Sequence, residues 1–471
     1  MIVGDLEKIM EEMNPFGSFK NHYDGWKPII DPIYGAQKCF PHEAAITDLP
    51  IVQRLKRIHQ TGLVYHLYPA ATHTRFDHSL GVMCIAEEMY SNLIAVDPQL
   101  ADHSFRLALR TAALLHDIGH GPFSHSSEKF LSTMTDFITD DSRFSRCKPH
   151  EVMSYLMLST KVMKDFFEEL CAKYNICISL ELVRDLIIGQ SKNDQDFRNN
   201  MINGPIDADR LDSIVRDSYF TGLNTNINPK EIIQSLGISS IKKKRGLVFY
   251  SNSIPVFEKM FFNKAFIYSN LYNDWRLRNY DLILSSLLQL MREQRESIDG
   301  VTLDKSANLL RIDDYRLLSY QSKDRKINEM VSDLNNGKLW TRALILSRHT
   351  IDNSEGLLEL LKMGDQESEI DIFKSHVIDE MIDKCQNSDI LVDIPQNPSF
   401  REIHRILVKR EDDVVSIQEC FPLQNWLSAY SDAHWEGRIL CPRQHARELT
   451  RSARRVLHEF YGIKFKRVHV D

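Results

Sequence analysis

The strongest constraint on the fold is a change of texture within one stretch of the chain. From Asp77 to about Ser240 apolar residues recur at i, i+3, i+4 and i+7, in segments such as DHSLGVMCIAEEMYSNLIAV and SFRLALRTAALLHDIG. That period is the buried face of an α-helix, not the alternation of a strand. The second segment then runs into LLHDIGHGPFSH, residues 114–125, which places three histidines, an aspartate, two glycines and a proline within twelve residues. Such a chain is predicted to be mainly α, with titratable chemistry set at a helix end that glycine and proline break.

Other elements are sparser. Residues 1–27 read as a short helix and a loop. WKPIIDPIYGAQKCF reads as two short strands around a turn at Pro32 and Gly35. HEAAITDLPIVQRLKRIHQTG reads as a turn followed by one helix ending near Gly62, and the segment beginning GLVFYSNSIPVF as a strand that becomes one long helix. After about residue 300, charged helical pieces give way to alternating strand-like and helix-like segments. The expected organisation is a helical catalytic core over 1–300, with small β elements including an N-terminal hairpin, and a C-terminal α+β lobe over 301–471 for regulation or oligomerisation.

Composition narrows the class. Of 471 residues, 43% are hydrophobic and 26% charged, which is ordinary for a globular protein with a substantial core. No apolar run is long enough for a membrane span, and the first residues lack the basic and apolar regions of a signal peptide. The eight cysteines form no CxxC pair, which suits reduced thiols and a cytoplasmic location. A net charge of −7 argues against a protein that coats nucleic acid, and requires a locally positive pocket for any anionic substrate. Two basic clusters stand out, KKKR at 242–245 and Arg447, Arg451, Arg454 and Arg455 on one helical face. Each reads first as solvated, with an effector-phosphate or nucleic-acid contact as the sharper alternative.

His116 and Asp117 follow the apolar RTAALL. Neighbouring side chains on a helix diverge by about 100°, so both can reach one cation only at a helix end. Upstream, ATHTRFDHSLGV offers Arg75 and His78; downstream, NGPIDADRLDSIVRDS offers Asp207, Asp209, Asp212, Asp217, Arg210 and Arg216. His78, His116, Asp117 and one later aspartate make a two-His, two-carboxylate set, suited to divalent Mn, Fe or Zn and less well to Mg. The alternative is a helix-end histidine, a solvated Asp117 and N-capping aspartates.

These segments resemble the HD-domain phosphohydrolases, and among them the deoxynucleoside triphosphate triphosphohydrolases (the dGTPase-like enzymes). The resemblance covers residues 28–290 in order: DPIYG, DLPIVQRLKRIHQTG, HTRFDHSLGV, LLHDIGHGPFSH, PHE at 149–151, and IDADRLDSIVRD. No N-terminal SAM domain is expected. The resemblance implies His78, His116, Asp117 and Asp209 as metal ligands, with Asp207 as the fallback. It implies His120, His125 and His150 around the α-phosphate, His125 as the group that protonates the leaving 5′-oxygen, and Glu128 as the acid that holds a catalytic histidine.

It further implies Arg75, Arg210 and Lys264 on the phosphates, Tyr272 against the sugar, and Gln60 and Asp217 at the 3′-hydroxyl. Ser213 stands where an aromatic residue faces the sugar in the animal SAM-and-HD-domain enzyme of that family. Asp48, Gln53 and Lys56 fall where that enzyme binds an activating nucleotide. The implied activity is metal-dependent hydrolysis of a dNTP to deoxynucleoside and triphosphate, with a homo-oligomer (dimer, tetramer or hexamer) and an optional nucleotide effector as partners. A phosphodiesterase or phosphatase acting on another nucleotide, and a non-catalytic nucleotide or nucleic-acid binder, are the rival readings.

Overall fold

The computed structural model describes residues 2–20, 25–137, 141–190, 197–241, 244–364, 366–382, 385–395, 403, 405–411 and 413–466. It is 62% helical with 11% strand, a mainly α fold. Two compact units are interleaved along the chain rather than divided at residue 300. The first comprises Met1–Ile267, Gln294–Tyr320 and Glu402–Phe421; the second comprises Tyr268–Glu293, Gln321–Arg401 and Pro422–Asp471.

The first unit opens with helix α1 (Ile2–Met13) and the antiparallel hairpin β1 (Lys27–Asp31) and β2 (Gly35–Cys39), in which Asp31 faces Gly35. Helices α2 (Pro41–Thr47), α3 (Pro50–Arg54), α4 (Arg75–Val96), α5 (His103–Leu115), α6 (Glu128–Ser132), α7 (Pro149–Met157), α8 (Lys161–Tyr174), α9 (Leu180–Ile187) and α10 (Ala208–Thr221) follow. The central layer is α4 packed against α5 and α10, with α5 also against α9. Leu107, Ala108, Leu109, Ala112 and Ala113 of α5 are all buried, as the periodicity predicts. Gly81 lets α4 approach α10: a Cβ there would lie 2.0 Å from Oδ1 of Asp212. Strands β3 (Leu236–Ile241) and β4 (Lys244–Tyr250) pair antiparallel. Leu407–Lys409 then adds to β4 in parallel, and Val414–Ser416 closes a four-stranded sheet.

Two expected helices are divided. The single helix before Gly62 is α2, α3 and a 3₁₀ turn at Leu55–Arg57. Pro50 starts α3, and a proline ring and missing N–H prevent α2 from running through it. The long helix after β4 is Ile254–Ile267, a π-helical turn at Tyr268–Tyr272, and Trp275–Glu293. Asn273 donates its N–H to the Tyr268 carbonyl, and Asp274 accepts from the Arg276 N–H, so one helix ends and another is capped within a few residues.

In the second unit Gly437–Cys441 is the central strand between Thr341–Leu346 and Leu391–Asp393, all antiparallel. Phe373, Leu346, Ile439 and Leu457 lie in its core, contributed by the sheet and by helices Glu367–Glu380 and Ala446–Tyr461. On that last helix Leu449, Ala453, Val456 and Leu457 are buried. Arg455 pairs with Glu380 and Glu459, and Arg454 covers the Phe465 ring, so these two arginines have protein partners. Of KKKR, residues 242 and 243 lie outside the described residues and the other two begin β4. Among the described residues no helix is long and apolar enough to cross a membrane, and all eight cysteines are free thiols.

Candidate active site

Helix α5 stops at Leu115, so His116 is its C-cap and Asp117 lies beyond it. The 100° divergence of helical neighbours no longer applies, and both side chains are buried. His78, in the first turn of α4, and Asp209, in the first turn of α10, meet them. One ligand atom each from His78, His116 and Asp209 lies within 4.8 Å of the others. Nε2 of His78 is 3.0 Å from Oδ1 of Asp209, and Nε2 of His116 is 3.8 Å from the same atom. Asp117 completes the ring, its Oδ1 3.3 Å from Nε2 of His116 and its Oδ2 3.7 Å from Nε2 of His78.

The donor set fits a divalent cation. His116 donates from Nδ1 to the Ala113 carbonyl at 2.8 Å, and burial holds the ring toward its neutral form. Its Nε2 is therefore a lone pair, buried, without a hydrogen-bond partner, and facing carboxylate oxygens. A cation between them removes that repulsion. His78 is oriented the same way, with Nδ1 held by Asp212 at 2.7 Å. Burial opposes charge on His78, but the bonds to Asp209 and Asp212 outweigh it and raise the ring to about 9. A metal would displace that Nε2 proton. Asp117 is held well below the usual carboxylate range because Arg75 offsets its burial, and Asp209 likewise because His78 does.

Asp207, the fallback ligand, is the N-cap of α10. Its carboxylate accepts the N–H groups of Gly204 and Arg210, each at 2.8 Å, and burial pushes it up to about 6. Asp207 thus serves as the helix cap, while Asp209, two residues on, faces His78 and His116.

A second group adjoins the first through Asp117. Its Oδ1 is 3.4 Å from Nε2 of His120 and 3.7 Å from Nε2 of His150. His120 and His150 stack with centroids 3.9 Å apart, and His125 meets His120 edge-on at 4.9 Å. Glu128 bridges the outer pair, accepting from Nδ1 of His125 at 2.7 Å and from Nδ1 of His150. Burial would raise the Glu128 carboxyl; the two imidazoles outweigh it and hold the group well below the usual range. Burial and Arg75 keep His120 neutral, and neither of its ring nitrogens has a partner. His125 is exposed, so the cluster runs from a buried floor to an open rim.

Backbone geometry sets this arrangement. Phe123 and Ser124 both adopt the left-handed region, with φ of 56° and 58°, an uncommon conformation for residues with side chains. Asp314 accepts the Phe123 N–H at 2.6 Å and also the N–H and Nδ1 of His59, fixing the turn that presents His125. Gly119 is required by close approach: a Cβ would meet the His150 carbonyl oxygen at 2.3 Å and the Ser154 nitrogen at 2.6 Å.

The other anticipated residues divide. Arg75 donates to Asp117, to Oγ of Ser124 and to the Gln60 carbonyl, so it braces the metal group as well as charging the pocket. Gln60 and Asp217 are linked through His73, whose carbonyl accepts from the Gln60 N–H and whose Nε2 is 2.9 Å from Asp217; Oε1 of Gln60 is buried without a partner. Arg210 lines, with Lys148, His116 and Asp209, a cavity of about 10 Å³, the space of one water. Lys264 is half-buried on the helix packed against α10. Tyr272 belongs to the second unit and is exposed. Gln53 donates to the Thr47 carbonyl, Lys56 lies over Phe76, and Asp48 ends α2. Lys148 and Asp314 were not anticipated, and Asp212, one of the downstream acids, had no role assigned to it. Only Lys148 carried a local signal, directly preceding the PHE block.

Two family models match the chain: the HD domain over residues 75–182 and the HD associated region over residues 242–459. Asp209 falls between them. The chain is 27% identical over 425 residues to an uncharacterized protein of Methanocaldococcus jannaschii, covering 90% of this chain and 81% of that one. It is 30% identical over 244 residues to an uncharacterized protein of Mycoplasma pneumoniae, covering 51% and 54%. It is 27% identical over 268 residues to the deoxynucleoside triphosphate triphosphohydrolase SAMHD1 of Homo sapiens, covering 53% and 42%. The match thus spans less than half of the human enzyme. Together these similarities support an HD-type hydrolase.

Proposed function

The chain is an HD-domain protein that joins an HD domain to an HD-associated region, and from that premise we propose that it is a metal-dependent dNTP triphosphohydrolase, releasing a deoxynucleoside and inorganic triphosphate. The observation that carries the reading is the convergence of His78, His116 and Asp209 beside Asp117, adjoining a histidine group with open valences. The metal is Mn, Fe, Mg or Zn; when bound it supplies Lewis acidity and an activated water.

The chain's own groups account for the remainder. Water contributes its oxygen to the α-phosphorus, the bond to the 5′-oxygen breaks, and that oxygen must gain a proton. His125, at the open rim, delivers it from Nε2 while Glu128 holds Nδ1. Neutral His120 offers an N–H group to the phosphate oxygens, and His150, its Nδ1 held by Glu128, lines the same side of the pocket. Arg75, Arg210 and Lys264 supply positive charge. Gln60 and Asp217 are assigned to the sugar. Asp48, Gln53 and Lys56 are assigned to an effector nucleotide in a homo-oligomer.

The test is a matrix of dNTPs and NTPs, singly and in pairs, with each metal, followed by product chromatography. Tripolyphosphate and a deoxynucleoside are expected. Pyrophosphate with a monophosphate, or cleavage of other phosphate esters alone, overturns the reading in favour of another HD-type phosphohydrolase. Turnover only in mixtures assigns the effector.

A further inference from the structure

A second cavity, of about 450 Å³, lies in the first unit, and one of its lining residues, Arg54, contacts the HD loop at residues 116–125. Its size falls within the usual ~300–1,000 Å³ of small-molecule sites. Four arginines line it, Arg54, Arg57, Arg311 and Arg316, against three carboxylates, with an apolar wall that includes Ile9, Met13 and Leu310. Arg54 is buried, yet its Nε and Nη1 have no hydrogen-bond partner, and Nε of Arg311 is likewise buried and unpartnered. A buried guanidinium is expensive unless its donors are satisfied. Burial lowers Arg54 only to about 10, so it is charged at neutral pH and that cost persists.

What Arg54 does satisfy is informative. Its Nη2 donates to the carbonyls of Ile118 and His120, the backbone of the HD loop itself. The opposite wall is connected as well. Asp313 lines the cavity and pairs with Arg57 at 2.6 Å, and the next residue, Asp314, holds the Phe123 N–H. Both walls therefore grip the segment that carries His120 and His125.

We propose that this cavity binds a phosphate-bearing ligand with an apolar body, and that its occupation is transmitted to His120 and His125 through Arg54 and Asp314. Guanidinium groups match phosphate oxygens in geometry and charge, and the apolar wall takes the rest of the ligand. The site is separate from Asp48, Gln53 and Lys56, none of which lines it. The binding half of the proposal needs no turnover and stands apart from the assignment of substrate.

The test is calorimetric titration of the full chain with inorganic phosphate, pyrophosphate and a nucleoside monophosphate, alongside hydrogen exchange of residues 118–124. The monophosphate is expected to bind more tightly than phosphate, and exchange across the HD loop is expected to slow. Arg54→Met can disturb the loop directly, so Arg311→Gln and Arg57→Gln are the informative variants. Each should weaken binding about tenfold, the loss of one charge-assisted contact, with the circular dichroism spectrum unchanged. No binding of any probe at about 10 mM, or binding unaffected by these substitutions, overturns the site. Binding that leaves exchange of 118–124 unchanged overturns the coupling.

Discussion

Asp212 accepts a hydrogen bond from Nδ1 of His78 at 2.7 Å while also pairing with Arg216 at 2.8 Å. Arg216 in turn reaches Asp31 of β1. One imidazole of the candidate metal site is thus aimed by a buried charge network anchored in the N-terminal hairpin. Asp212→Asn should lower metal affinity by about 10–100-fold, the usual cost of losing a carboxylate that orients a histidine ligand. Chelator competition measures it, and unchanged affinity in a folded variant would refute the orienting role.

Asp207 and Asp209 should behave differently although they are two residues apart. Asp209→Asn is expected to abolish stoichiometric metal binding and, in the apo chain, to forfeit the stability that its pairing with His78 gives at neutral pH. Asp207→Ala should retain metal and lose about 0.5–2 kcal/mol of stability, the cost of a helix N-cap. Metal analysis and thermal unfolding on the same samples separate the two.

Glu128→Gln removes the acceptor shared by His125 and His150. Turnover should fall about 10²-fold or more, the usual contribution of a positioned proton-transfer group, with substrate KM little altered. The stability effect has a definite sign. Because the folded Glu128 lies below its unfolded value of about 4.3, its contribution is complete above that pH and is lost as pH falls toward the folded value. The melting difference between wild type and variant should therefore shrink on acidification; a difference that grows would contradict the assigned hydrogen bonds.

Gly119→Ala places a methyl against the His150 carbonyl and the Ser154 nitrogen. The backbone of α7 must move, at about 1–3 kcal/mol, and His150 moves with it. Lower thermal stability together with reduced turnover is expected. Reduced stability with full activity would show that His150 can shift without consequence.

The helical order of the first unit and its HD loop were legible because both are local patterns: a 3.6-residue period, and a glycine–proline break beside clustered histidines. The grouping of His78 with His116 and Asp117 was legible from residue type, but the preference for Asp209 over Asp207 rested on the resemblance, since no period relates positions so far apart. That Asp207 caps the helix was visible only in the structure, because both acids stand at a helix start. Arg54 and Asp314 were out of reach for a different reason. Each acts through a partner distant in sequence, Ile118 and Phe123, and neither stands in a pattern that marks it. The two broken helices were missed because a proline at N1 and a π turn interrupt the backbone without interrupting the apolar spacing.

The interleaving of the two units has a consequence for how the molecule is made. Phe249 of β4 finds its parallel partner in Val408, so the edge of β4 stays unpaired until that later strand has left the ribosome. At typical synthesis rates the wait is on the order of ten seconds, and an open strand edge is a template for association with other chains. A nascent chain halted near residue 300 would hold every ligand of the metal group and still present that edge to its neighbours. Completion of the first unit is thereby tied to synthesis of the chain past residue 409.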